Sequence, residues 1–425
     1  MGKHIGKSVK RVEDPRFIQG QGKYVANINL PNMAHVAVLR SPHAHAKINS
    51  INTDAAKAMD GVIDVFVGQD LIDGGVGKMP VIWQVPDNKI PDRWPLVPDK
   101  VRHVGDSVAA VVAEDPYIAR DALDMIEVDY EVLEATTGAK ATTEDGKPLV
   151  HDEIENNISF KWGLGDREAC DKAFEEADHV VKLDLINQRL IANAMEPRAC
   201  AAQWTAATEN MTVWTTSQNP HIIRFGLSAV TLPMLDEHKL RVISPDVGGG
   251  FGSKIFHYPE EVIIPWIAKE INRPCKWVAT RSESFMTDSQ GRDHVQNCKM
   301  ALTSDGIITG LYVELHADMG AYLSSIAPLI PTVICITLFS GLYKNPGIWG
   351  ETTGTLTNTV PVDAYRGAGR PEASYLVERL VDVAAQELKM DPIEIRRKNF
   401  IGKDEFPYQT PVAFLYDSGD YHAMF

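Results

Sequence analysis

An α+β fold in more than one domain is what this sequence predicts, and three observations predict it. The chain has 425 residues, which at roughly 100–200 residues per domain leaves room for two to four, each with its own core. Between Ser107 and Leu133 an apolar run, a capped helical stretch and an alternating segment follow one another. Two glycine-rich turns, one at Gly248 and one after Ala364, each lead into a helical pattern.

The elements follow from residue type and spacing. Met33–Leu39 and Ser107–Ala113 are apolar runs of strand length. Asp115 followed by Pro116 supplies an N-cap and an N1 proline for a helix through Met125, and Glu127–Leu133 alternates with period two. Strand, helix and strand in this spacing fit an α+β or an α/β unit. Thr136–Asn157 is polar and aperiodic, so the division expected is a first domain over 1–140, a linker over 141–160 and a second domain over 161–425. In the second, Leu240–Ile243 reads as a strand entering Gly248-Gly-Gly-Phe-Gly-Ser-Lys254, and a helix runs from Pro259 to Ile271 with a kink expected at Pro265. Ala364-Tyr-Arg-Gly-Ala-Gly-Arg370 leads into a helix with Pro371 expected at N1 and Glu372 at N2, and with Leu376, Leu380, Ala384 and Leu388 on one face.

Composition narrows the function. With 44% hydrophobic and 23% charged residues the chain is neither disordered nor fibrous. A net charge of −15 offers no field to gather nucleic acid or anionic lipid. The five cysteines, Cys170, Cys200, Cys275, Cys298 and Cys335, contain no C-x-x-C pair, which argues against a disulfide framework, a zinc ribbon or an iron–sulfur cluster held by this chain alone. Met319–Tyr343 carries no charge and is long enough to span a bilayer, but Pro328 and Pro331 break it, so a buried core segment is expected. The first residues lack the apolar core of a signal peptide, and a cytoplasmic location is the expectation.

The glycine turns are the most informative feature. Consecutive glycines let a backbone approach a ligand and turn its N–H groups toward an anion. A dinucleotide fingerprint fails, because Ser253 and Glu372 stand where the last glycine of G-x-G-x-x-G belongs; a P-loop fails because Ser253 and Ile255 flank Lys254. His43 and His45 read as structural histidines without a third ligand, and Glu196 either as a carboxylate placed in a cleft or, the blander reading, as half of a buried pair with Arg198 that holds a loop. Gln218 is by itself a polar residue at a strand end.

In order and number these motifs resemble the molybdenum hydroxylases, the xanthine dehydrogenase and aldehyde oxidoreductase family, in their molybdopterin-binding subunit. The resemblance runs through Gly6–Arg16, Gly20–Tyr24, Leu39–Ala46, Val104–Ala109, Met195–Arg198, the Gln218 segment and both glycine turns. It implies an N-terminal α/β hammerhead-type domain followed by the first molybdopterin-binding domain. It places Gln218 near the apical oxo group of the metal, Gly248, Gly249, Gly250, Phe251 and Gly252 along the cofactor, and Tyr365, Arg366, Gly367 and Ala368 on its other side. Gln218, Phe251 and Arg366 then form the environment of the molybdenum, with no direct protein ligand. The implied cofactor is a molybdenum–molybdopterin dinucleotide, of the cytosine type common in bacterial relatives, with a terminal sulfido or selenido ligand.

Departures from the family pattern shape the rest. The late glycine-flanked base glutamate of single-chain members does not occur, so either the sequence is a fragment or a second molybdopterin subunit supplies the base. The pattern is similar to the large molybdopterin subunit of split-subunit nicotinate dehydrogenases. Purine-oxidising members carry a glutamate where this chain has Ile255, and carbon monoxide dehydrogenases carry a cysteine where it has Gly367. The resemblance therefore implies hydroxylation of an N-heteroaromatic ring, nicotinate to 6-hydroxynicotinate, with water as oxygen source. Ile255, Phe339 and Tyr343 are the substrate-pocket candidates, although core packing is the blander reading of the two aromatics. Electrons would leave through Fe–S and FAD subunits to NAD(P). The alternatives are an aldehyde- or other heterocycle-oxidising member and a non-catalytic cofactor-binding scaffold.

Overall fold

The computed structural model describes residues 4–425, and its helices and strands are mixed in the α+β manner predicted. A seven-stranded sheet runs in the order Leu240–Ile243, Asn210–Thr215, Ala199–Thr205, Cys275–Val278, Ala34–Arg40, Ser107–Ala113 and Val62–Val67. Ser107–Ala113 is buried at every position, as an unbroken apolar run in an interior strand should be. A three-stranded sheet of Lys100–Val101, Ala46–Asn52 and Glu127–Val132 lies beside it in the N-terminal region. A five-stranded sheet is built from Ile158–Gly165, Gly347–Thr355, Ile308–Asp318, His294–Leu302 and His179–Asn187.

The expected division at 141–160 does not divide the sheets. Ala34 and His35 pair in parallel with Cys275 and Lys276, and the Ala34 N–H donates to Pro274 O at 2.7 Å, so one sheet takes strands from both sides of that segment. Residues 141–160 are also no solvated tether. The Asn157 side chain is fully buried; it accepts from Val150 N at 2.8 Å and donates to Thr142 O and Pro148 O at 3.0 Å each. Short polar side chains can satisfy a loop's own backbone in this way, and a polar aperiodic sequence does not distinguish such a loop from a free one.

Three local expectations shift. Asp115 caps its helix, accepting from Tyr117 N, but the α-helix ends at Asp121 and tightens to a 3₁₀ turn over Ala122–Met125. The helix Pro259–Glu270 continues through Pro265 and is buried from Pro259 to Ala268, so packing holds it across the missing N–H. The helix after the second glycine turn begins at Arg370, which puts Pro371 second and Glu372 third; Gly369, at φ 75°, is its N-cap. Met319–Tyr343 is largely buried in short 3₁₀ and π turns, and among the described residues no helix is long and apolar enough to cross a membrane. All five cysteines are free and buried.

The largest core packs the helix Arg370–Glu387 on the five-stranded sheet, burying Leu376, Leu380 and Ala384 against Val181, Met300 and Val313. A second core lies between the seven-stranded sheet and the helix Pro259–Glu270. The two glycine turns are carried by these two layers: the first enters that helix, the second enters Arg370–Glu387.

Candidate active site

The first glycine turn leaves the short strand Leu240–Ile243 and is tied down before it starts. Asp246 accepts from the Lys23 N–H at 2.7 Å and pairs with Arg16, which fastens the N-terminal segment to the loop. Gly249 and Gly252 then take φ 98° and 101°, and Phe251 takes the left-handed φ 53° with its side chain exposed. Close approach leaves no room for a side chain at three of these positions: a Cβ on Gly248 would overlap the Glu196 Cβ, one on Gly250 the Gln218 carboxamide and one on Gly252 Ala364 O.

Gln218 is in contact with this turn. Its Oε1 accepts from Gly252 N at 2.9 Å, and its own N–H donates to Lys254 O at 2.8 Å. With Oε1 committed, Nε2 has no acceptor among the described residues and remains available to donate. On the other side of the turn, Glu196 Oε2 accepts from Gly248 N at 2.7 Å and from Lys254 Nζ at 3.1 Å, while Lys254 Nζ also donates to Glu196 O at 2.8 Å. The expected Glu196–Arg198 pair is not formed. Arg198 instead binds Glu260 and Asp288, each at 2.6 Å, and stacks on Tyr258, because it lies just before the strand Ala199–Thr205, against the buried start of the helix Pro259–Glu270. Arg40 binds the same Glu260, and the two guanidinium groups hold that carboxyl well below the ordinary range despite its burial.

The second glycine turn meets the first directly. Arg366 N–H donates to Phe251 O at 2.9 Å. Gly367, Ala368 and Gly369 all have positive φ, 96°, 37° and 75°, and fold the chain back into the helix. Asp363, just before the turn, is buried, accepts from Ala364 N at 2.7 Å and Ile326 N at 3.1 Å, and is pushed up to about 7 by burial. Asp363 and the pairing of Lys254 with Glu196 did not stand out in the sequence; the visible signals were a lysine closing a glycine loop and the candidate cleft carboxylate of Glu196.

Of the substrate-pocket candidates, only Ile255 lies near the turns, packed with Phe256, Tyr258, Ile330 and Ala364. Phe339 and Tyr343 are not brought there. Phe339 packs on Gly350 in the main core, and Tyr343 stacks on Phe400 at 5.8 Å and donates to Glu378 Oε1 at 2.8 Å. His45 is bonded to Glu134 O at 2.8 Å, His43 lies edge-on to Tyr130, and no group of three potential ligands is placed to hold a metal among the described residues.

The donors fit an anionic ligand. Among the described residues, the N–H groups of Gly249, Gly250 and Phe251 have no protein acceptor, and the exposed Arg366 side chain has no partner. Buried Glu196 Oε1 is also left without a donor. Free N–H groups and a guanidinium for an anion, with one carboxylate oxygen for an N–H, suit an anionic cofactor that also carries N–H groups, as a pterin does. Clefts of about 350 Å³ beside His35 and Trp277 and about 460 Å³ beside Trp162 and His316 lie away from the turns, which form an open face.

The family model described as "Molybdopterin cofactor-binding domain" matches residues 150–400, and that described as "Aldehyde oxidase and xanthine dehydrogenase, a/b hammerhead domain" matches residues 19–134. The chain belongs to the molybdenum hydroxylase family, as a molybdopterin-binding large subunit. It is 37% identical over 424 residues to the carbon monoxide dehydrogenase large chain of Hydrogenophaga pseudoflava, covering 96% of this chain and 52% of that one. It is 32% identical over 398 residues to the nicotinate dehydrogenase large molybdopterin subunit of Eubacterium barkeri, covering 93% of this chain and 89% of that one. The quinoline 2-oxidoreductase of Pseudomonas putida 86 superposes with a TM-score of 0.92 at 32% identity, over 98% of this chain and 52% of that structure's chain. The chain thus spans about half the length of several of the relatives it matches.

Proposed function

We propose that the face made by the two glycine turns binds a molybdopterin dinucleotide, of the cytosine type with a sulfido or selenido ligand. The enzyme would be cytoplasmic and hydroxylate an N-heteroaromatic ring, nicotinate to 6-hydroxynicotinate. The observation that carries the reading is the Phe251–Arg366 hydrogen bond, which joins two turns with unpaired donors into one receptor. When bound, the cofactor supplies a two-electron oxidation with water as the source of oxygen.

This chain's residues bind and orient. The N–H groups of Gly249, Gly250 and Phe251 and the Arg366 guanidinium hold the anionic groups, and Glu196 Oε1 accepts from the ligand. Gln218, fixed by Gly252, would offer its free Nε2 as a hydrogen-bond donor to the bound cofactor, and Ile255 leaves an apolar side chain where a purine would need a carboxylate. Likeness to the nicotinate dehydrogenase large molybdopterin subunit supports a base glutamate supplied by a second molybdopterin subunit, with Fe–S and FAD subunits carrying electrons to NAD(P).

Identity does not choose the substrate, since the carbon monoxide dehydrogenase likeness is the higher in identity. What supports an N-heterocycle is Gly367 in place of that group's cysteine, together with likeness to relatives whose names state nicotinate and quinoline. The test is purification of the native complex from its source, with molybdenum analysis, identification of co-purifying chains and assays on nicotinate, quinoline, an aldehyde and carbon monoxide. Stoichiometric molybdenum with nicotinate turnover supports the proposal. Turnover of aldehyde alone would favour the aldehyde-oxidising reading, and a metal-free complex the scaffold.

A further inference from the structure

Arg292 sits behind the second glycine turn. Its guanidinium donates to Tyr365 O at 3.2 Å, to Arg366 O at 2.7 Å and to Glu372 Oε1 at 2.9 Å, and it lies 4.9 Å from the centre of the Tyr365 ring. The Tyr365 carbonyl and the Arg366 N–H belong to one trans peptide and point in opposite directions. That peptide is therefore gripped at both ends, its oxygen by Arg292 and its N–H by Phe251 O.

The surroundings are built around this grip. Arg292 and Asp293 both take left-handed backbone, at φ 65° and 66°, a conformation that persists only where neighbours enforce it. Here Asp293 pairs with Arg189 at 2.5 Å, Gly291 exchanges backbone bonds with Leu190, and Gln290 N–H donates to Pro361 O at 3.0 Å. Glu372 is fully buried; Oε1 holds Arg292 and Oε2 has no partner, so Arg292 is the cation that balances it. A guanidinium fork can serve three acceptors in fixed directions, which a lysine ammonium on a flexible stem cannot reproduce.

We infer that Arg292, anchored by Glu372, is the positioning residue that fixes the Tyr365–Arg366 peptide and so aims the exposed Arg366 side chain over the first glycine turn. This inference rests on the reading that the two turns receive the cofactor. Arg292 itself is buried, and three of its five N–H donors go to Tyr365 O, Arg366 O and Glu372 Oε1.

The native complex carrying Arg292→Lys or Glu372→Gln tests it, by hydrogen–deuterium exchange, molybdenum analysis and electron paramagnetic resonance of the metal that remains. Exchange over residues 363–370 is expected to rise at least tenfold in both variants while the strand His294–Leu302 is unchanged. Bound molybdenum should fall at least twofold, and the resonance of the retained fraction should shift. Unchanged exchange over 363–370 would overturn the inference, as would an equal rise in His294–Leu302, which would make the role one of general packing. Should Arg292→Lys not accumulate, Glu372→Gln, which keeps volume and one acceptor oxygen, decides alone. A molybdenum-free wild-type complex would sink the cofactor reading, and the exchange comparison would still decide whether Arg292 sets the turn.

Discussion

Gln218 and Gly252 are joined by a 2.9 Å hydrogen bond in which the carboxamide oxygen accepts from the glycine N–H. One bond thus orients the side chain and pins the loop. Gln218→Ala is expected to fold and to lower kcat by about 100-fold, the scale of one donor removed from a reacting centre. Steady-state kinetics on the molybdenum-loaded complex checks this, and an unchanged kcat with metal retained would remove Gln218 from the site.

Gly250→Val places a β-branched side chain where the Gln218 carboxamide already sits. Overpacking of this kind costs roughly 1–3 kcal/mol, and here the relief is movement of the loop. Bound molybdenum should drop severely while the far-ultraviolet circular dichroism stays that of wild type. Normal cofactor content in this variant would contradict the loop's assignment.

Glu260→Ala removes the carboxylate shared by Arg40 and Arg198, both buried. Breaking a buried pair by deleting one partner costs about 3–5 kcal/mol, because the remaining charge is stranded. The denaturant midpoint should fall accordingly. A loss well below about 1 kcal/mol would mean that water or Asp288 and Glu283 absorb the charge.

Asp363 gives a pH dependence of unusual sign. Burial raises its carboxyl from 3.8 to about 7, so between those values the folded state binds more protons than the unfolded one. Its contribution to stability is therefore complete at the acid end and is lost as pH rises through about 7. Asp363→Asn does not ionise, so the Tm difference, variant minus wild type, should increase from pH 4 to pH 8. A difference that stays flat would show that Asp363 is ionised throughout.

Much of the scaffold was legible because its signals are local. The apolar run Ser107–Ala113, the Asp115 cap and the glycine turns entering helices each need only neighbours in the chain to be recognised. The partners of charged side chains were not legible. Glu196 and Arg198 are close in sequence, yet the first faces the glycine loop and the second faces Glu260, because the chain bends at Met195–Glu196 before the strand starts at Ala199, and a two-residue spacing puts side chains on one face only within a regular strand. Phe339 and Tyr343 suit a core better than a substrate stack by residue type alone, and the structure places both in the core, Tyr343 against the helix Arg370–Glu387.

The amino-acid sequence by itself determined the family, the two turns and the residue types at them, since these depend on spacing along the chain and on what glycine alone permits. Only the tertiary structure decided that strands from both sides of residues 141–160 share one sheet, and that Phe251 O meets the Arg366 N–H. It alone showed that Arg292 holds that same peptide from behind. The physical reason is that a hydrogen bond between distant segments leaves no period and no motif. It exists only once burial has brought two backbones together and each buried polar group must find a partner.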